Sequence, residues 1–303
     1  MKQILFILFS LISVLSYAQS SQPISIPGTK CTMIPPEGFT LTNRFSGFIQ
    51  TSTGASIMLT ELPAPYQEIS DGFTAEALRT KGMELISKRL IDMNGSKATM
   101  IIVTQSAQGI SYKKQMLLLG DSSVSVIVNG IYPIDAEIDE NQIEKALLST
   151  RYTKTEQVDP QDAALYTVSL EGSAFKPYKY ISGVLLYTEE DQLPTQRPTL
   201  MIGNSLSKVT TTDLKAYATS HLFTVVKPNT PKIIETNEIE IDGLAGIEII
   251  AELEKTGKPK ELVYHLILFA DNDDYFLIMG NSSVNFPEYT RRFKTIARTF
   301  KRK

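Results

Sequence analysis

Side chains able to do covalent or acid–base chemistry are few and widely spaced. The chain has two histidines, one cysteine and no tryptophan. Gly203-Asn204-Ser205 and Gly280-Asn281-Ser282 each place a serine after a small turn, as a nucleophile elbow does. That elbow reads G-x-S-x-G. The residues that should be the closing glycine are Ser207 and Val284, so neither segment fits. A serine triad also needs a histidine. Periodicity puts His221 on a helix and His265 within a strand, where Val263, His265 and Ile267 share a face. A packed histidine is the expectation there, and no catalytic residue is assigned.

Metal chemistry fares no better. Asp271-Asn272-Asp273-Asp274 gathers oxygen ligands, but an EF-hand loop counted from Asp271 would need Gly and Glu where Phe276 and Ser282 stand. An acidic hairpin turn is expected, with at most a weak surface calcium site. A single cysteine, Cys31, excludes an internal disulfide and any Cys-based zinc cluster. Two histidines exclude a His-rich site. No metal or cofactor is expected. Glu248 and Glu252 alternate onto one strand face, so a carboxylate pair is the remaining enzymatic route.

Binding chemistry is better represented. The C-terminal run holds Arg291, Arg292, Lys294, Arg298, Lys301, Arg302 and Lys303. Arg291, Lys294 and Arg298 fall on one helical face. They read as a solvated face suited to a helix C-terminus, or as a surface for an acidic partner or a membrane. Tyr178 and Tyr180 alternate onto one face with Ser182 and offer aromatic contact area. Arg291, Lys294, Arg298, Tyr178 and Tyr180 are therefore the expected partner-binding surface. The 30 basic residues against 33 acidic ones give a net charge of -3, which argues against nucleic acid.

The elements that must position these residues occur twice. Asn94-Gly95 and Asp242-Gly243 each open an apolar strand, 96–102 and 244–250. Gly109 and Gly257, the segments 115–119 and 265–269, and strands ending at Gly130 and Gly280 follow in the same order. Amphipathic helices over 139–150 and 287–298 close each unit, carrying the stripes Ile143, Ala146, Leu147, Leu148 and Tyr289, Phe293, Ile296, Ala297. Asn285 is the expected cap of the second. Earlier, Ser46-Gly47 matches Ser182-Gly183, and helices are expected over 74–91 and 211–224, with Thr210 and Asp213 imitating a capping box. The polar stretch 153–162 reads as a linker between domains at 22–152 and 163–303.

Residues 1–18 form a signal peptide: Lys2, then an apolar run, then Ser16-Tyr17-Ala18 as the cleavage site. The run is too short to span a membrane, no later stretch is long enough, and Cys31 lies too far from Ala18 to be a lipidated cysteine. The mature chain is expected to be soluble and periplasmic or secreted, with no transmembrane segment.

Pro35-Pro36-Glu37-Gly38-Phe39, the Asn94-Gly95 turn, the long hairpin and the closing helix resemble PsbP-like and Mog-like domains. The second copy lacks the opening phrase, having Ser173-Ala174-Phe175-Lys176-Pro177 instead. The resemblance implies an α+β fold in each half: a mainly antiparallel sheet flanked by helices as an α/β/α sandwich. It brings no cofactor or site residues. The leading functional reading is an exported, non-enzymatic binding or accessory protein of the bacterial envelope, with an unknown protein or small-molecule partner. A structural or assembly subunit comes next, and a carboxylate-dependent enzyme last.

Overall fold

The structure, a computed structural model, describes residues 22–303 apart from 94, 108, 191–196, 207, 255–256, 258 and 272–273. The expected signal peptide and cleavage site, together with Asn94, Asn272 and Asp273, lie outside the described residues.

The first half begins with β1 (Ile24–Ser25) and β2 (Cys31–Met33). A sheet follows, started by β3 (Thr40–Leu41), β4 (Gly47–Gln50) and β5 (Ala55–Leu62). Two short helices, α1 (Tyr66–Gly72) and α2 (Ala75–Arg79), precede β6 (Met83–Met93), β7 (Ser96–Ala107), β8 (Ile110–Gly120) and β9 (Ser125–Pro133). Helix α3 (Glu140–Leu148) and β10 (Arg151–Tyr152) close the unit. The second half runs β11 (Tyr166–Thr167), β12 (Lys176–Ile181), β13 (Val184–Thr188), β14 (Thr199–Asn204), α4 (Leu214–Val225), β15 (Pro231–Ile241), β16 (Leu244–Leu253), β17 (Glu261–Phe269), β18 (Tyr275–Ser282), α5 (Phe286–Arg298) and β19 (Lys301–Arg302).

Two seven-stranded antiparallel sheets result, ordered β3-β4-β5-β9-β8-β7-β6 and β12-β13-β14-β18-β17-β16-β15. The order is the same in both: three strands in sequence, then the last four returning outward to the edge. In each half the strand after the closing helix pairs with a strand that precedes the sheet, β10 with β2 and β19 with β11. Both edge strands carry a bulge near their start, at Ile86 in β6 and Ile234 in β15. No helix among the described residues is long and apolar enough to cross a membrane.

The helix expected over 74–91 is corrected. Its first turn survives as α2, capped by Thr74. Gly82, at φ +69°, then turns the chain and β6 pairs along β7. A bulge breaks the period-two alternation of β6, so its apolar residues imitate a helical stripe. Likewise β15 was not anticipated, and each half has a four-strand rather than a three-strand meander. In α4 the cap is Asp213, whose carboxylate accepts from Ala216 N at 2.8 Å; Thr210 takes no part in the cap. Asn285 precedes α5 but makes no capping bond to the backbone, and its amide turns to Glu288 instead. The stretch 153–162 runs into a 3-10 turn, Pro160–Ala163.

The closing helices sit on the sheets at matching points. A Cβ on Gly130 would lie 2.7 Å from Ile143, and one on Gly280 would lie 2.7 Å from Phe293. Glycine at those steps lets each helix approach the sheet and bury its apolar stripe, at roughly 1.5–3 kcal/mol per large side chain. In the second half, Tyr264 meets Phe293 of α5 while its neighbour His265 meets His221 of α4. Successive strand residues face opposite ways, so α4 and α5 cover opposite faces of that sheet.

Candidate functional site

The expected partner surface divides on inspection of the structure. Helix α5 turns Lys294 and Arg298, two of the three basic residues expected on that surface, towards the sheet. Their target is Glu248 on β16, 1% exposed although it is a carboxylate. Tyr264 donates to Glu248 Oε1 at 2.9 Å, and Arg298 Nη2 lies 2.8 Å from the same oxygen. Asn237 Nδ2 donates to Oε2 at 3.3 Å, and Lys294 Nζ lies 3.4 Å from it. Lys294 also reaches Glu235 at 3.1 Å. Both oxygens of the buried carboxylate are thus satisfied, as burial of a charge requires. Burial, then the nearby Glu248, pushes the Tyr264 phenol well above its usual range and keeps it protonated as a donor. The hydrogen bond from Asn237, followed by that from Lys294, lowers the Glu235 carboxyl. The cluster holds α5 on the sheet.

Arg291, by contrast, is exposed and makes no hydrogen bond or ion pair among the described residues. The tyrosines separate too. Tyr180 is 3% exposed and belongs to the core with Phe175, Tyr187 and Leu185, so it cannot contact a partner. A bulge at Tyr178 breaks the alternation that would have set both rings on one face, and Tyr178 is left half-buried. Of the five expected residues, Arg291 and Tyr178 remain accessible without an ion-pair commitment.

The only two histidines of the chain meet each other. His221 Nδ1 lies 3.0 Å from His265 Nε2, and Tyr275 OH lies 3.3 Å from His221 Nε2. His265 is fully buried, and its Nδ1 has no hydrogen-bond partner among the described residues. Burial, aided by the neighbouring His221, pushes His265 down to about 3. Burial also lowers His221. No carboxylate orients either ring and no serine stands beside them among the described residues, so the pair lacks the parts of a triad. Among those residues no group of three or more His, Cys, Asp or Glu could hold a metal. This pair was missed in the sequence because its members lie 44 residues apart on a helix and a strand.

The two Gly-Asn-Ser serines are tied into turns. Ser205 Oγ accepts from Tyr275 N at 3.1 Å, and Ser282 Oγ donates to Val284 O at 2.6 Å. Cys31 is buried beside Glu61, and burial followed by that carboxylate pushes its thiol far up. Glu61 in turn accepts from Lys30 N at 2.5 Å and pairs with Lys179 of the other half at 3.0 Å. Arg44 adds a second cross-link between halves, 2.6 Å from Asp274. The acidic turn is thereby engaged at one end. A cleft of about 560 Å³ lies in the first half between α2 and the ends of β6 and β7, lined by Arg79, Glu84, Thr104 and Gln105 among others.

No family model matches the chain, and no curated protein matches it. Solved structures do. The immunity protein TplEi of the T6SS from Pseudomonas aeruginosa is similar at 10% identity, with 92% of this chain and 97% of that chain covered and a TM-score of 0.32. A chain of the Tle4–Tli4 complex is similar at 10% identity, with the same coverage and a TM-score of 0.35. A structure from Bacteroides thetaiotaomicron is similar at 11% identity and a TM-score of 0.32; 49% of this chain is covered, and the chain spans about half of that structure's length, 52%. At these values no family is assigned.

Proposed function

We propose that the chain is an exported, non-enzymatic binding or accessory protein of the bacterial envelope. In this reading each half is a helix-flanked α/β/α unit similar to PsbP-like and Mog-like domains, and the partner is a protein or small molecule. The observation that carries it is the fate of the reactive groups. Both histidines are spent on each other, the one thiol is buried and protonated, and the most buried carboxylate of the second half is neutralised by Arg298 and Lys294. What stays available is surface for recognition, including the exposed Arg291, which pairs with none of the described residues.

The test is capture from envelope extract by the purified mature chain, run beside Arg291→Glu and Tyr178→Ala. A partner retained by the unaltered chain and lost with Arg291→Glu is the expected result. Equal capture by all three removes this face from the reading. Export is checked by sequencing the mature N-terminus, expected at Gln19; a chain that keeps Met1 refutes it.

A further inference from the structure

Strand pairing fixes which residues of the two halves correspond. Gly130 under Ile143 matches Gly280 under Phe293, so Thr150, just beyond α3, occupies the place of Phe300 beyond α5. The pairing of β10 with β2 and of β19 with β11 then sets Cys31 opposite Tyr166 in the comparison. By the register of β9 and β18, Val126 stands where Phe276 does.

In the second half this corner is closed by three aromatic rings. Tyr166 stacks on Phe300 at 5.5 Å, and Phe276 meets Phe300 edge-on at 5.0 Å. Ile241, Leu244 and Leu268 are buried around them. The first half has Cys31, Val126 and Thr150 in their places and no ring among the three. Met93 and Leu119, which match Ile241 and Leu268, are half-exposed. A cleft of about 220 Å³ lies at this corner, lined by Met93, Leu119, Thr150 and Tyr152, with Lys97 and Arg151 beside them. Thr150 is 1% exposed, and its hydroxyl has no hydrogen-bond partner among the described residues.

The rim charge is cationic. Lys97 is exposed and makes no hydrogen bond or ion pair among the described residues. Arg151 is held there by Nη1, which donates to the carbonyls of Leu148 at 3.1 Å and Thr150 at 2.9 Å. Asp121, the one carboxylate in the lining, accepts from the Ser123 and Val124 amides and pairs with Lys154 at 3.0 Å, so its charge is already answered.

We infer that this cleft binds a small aromatic carboxylate. The ring lies against Met93, Leu119 and Tyr152, where the second half supplies its own Phe300, and the carboxylate meets Lys97 and Arg151. The volume is below the roughly 300–1,000 Å³ of sites for drug-sized ligands, so one ring with a short acid arm is the fitting size. This goes beyond the partner-binding reading and does not depend on it, since Arg291 lies on the other half.

The experiment titrates the purified mature chain with phenylacetate, followed by amide chemical shifts. Acetate, which lacks the ring, and benzylamine, which reverses the charge, serve as comparators. Saturable binding of phenylacetate is expected, at least tenfold tighter than either comparator. Thr150→Phe, which copies the closed corner, should lose at least tenfold in affinity, and Lys97→Glu should do the same. Lys97 is on the surface, so that variant decides the matter should Thr150→Phe fail to fold. Absence of saturation, equal binding of acetate or benzylamine, or affinity unchanged in Lys97→Glu overturns the inference.

Discussion

Acid should destabilise the second half through His265. Its imidazole lies between β17 and α4, fully buried, facing His221 and beyond it Tyr275, with no carboxylate in hydrogen-bond reach among the described residues. Burial above all, then His221, moves it from 6.5 down to about 3. A base whose folded value is lowered binds fewer protons folded than unfolded between those limits. Its neutral form is therefore fully accommodated above about pH 6.5, and stability is lost as pH falls towards 3, where the loss is complete. At about 1.4 kcal/mol per unit, the loss is about 2–3 kcal/mol at pH 4.5 and about 4–5 kcal/mol at pH 3. That is a large part of the roughly 5–15 kcal/mol that holds a typical domain. The matched control is His265→Met, because Met116 fills the corresponding, buried position of β8 in the first half. The assay is urea unfolding of both chains at about pH 7.5 and about pH 4.5, read by a probe in the second half. Carboxylates titrate alike in both, so the difference between the two losses reports His265. Equal losses in the two chains would falsify the burial argument.

Three further outcomes are expected. Glu248→Gln should lower stability by about 1–3 kcal/mol, because Tyr264 and Arg298 lose a charged acceptor while Arg298 and Lys294 themselves stay partly solvated; an unchanged urea midpoint would show that the cluster does not hold α5. Gly280→Ala should cost about 1–3 kcal/mol in the same assay, since the added methyl meets the Phe293 ring at 2.7 Å; an unchanged midpoint would mean that α5 shifts freely. Cys31 should resist a thiol reagent in the folded protein and react in denaturant, and rapid native labelling would contradict its burial and raised pKa.

Much of the architecture was legible because it was written twice. The Asp242-Gly243 turn, with both residues at positive φ, and the stripes of α3 and α5 carry local signals strong enough to stand alone. Edge strands β6 and β15 do not. Each is half solvated and bulged, so its alternation is broken where it is most needed. The candidate site was less legible still. Lys294 and Arg298 look like a free basic face until Glu248, on another strand, is folded beneath them. A local pattern cannot show a partner that far along the chain. Tyr180 was misplaced because one extra residue, Tyr178, changes the parity of everything around it.

Two halves with one strand order face a hazard common to tandem units: the closing helix of one can dock on the sheet of the other. The glycine steps oppose it. Phe293 carried onto Gly130 would bring a ring into space shaped for Ile143, while Ile143 over Gly280 would leave a void where that ring belongs. Each helix is therefore mismatched to the wrong sheet by a difference in side-chain volume at a single step. That mismatch favours α3 and α5 each on its own sheet during folding, although the two units present the same topology.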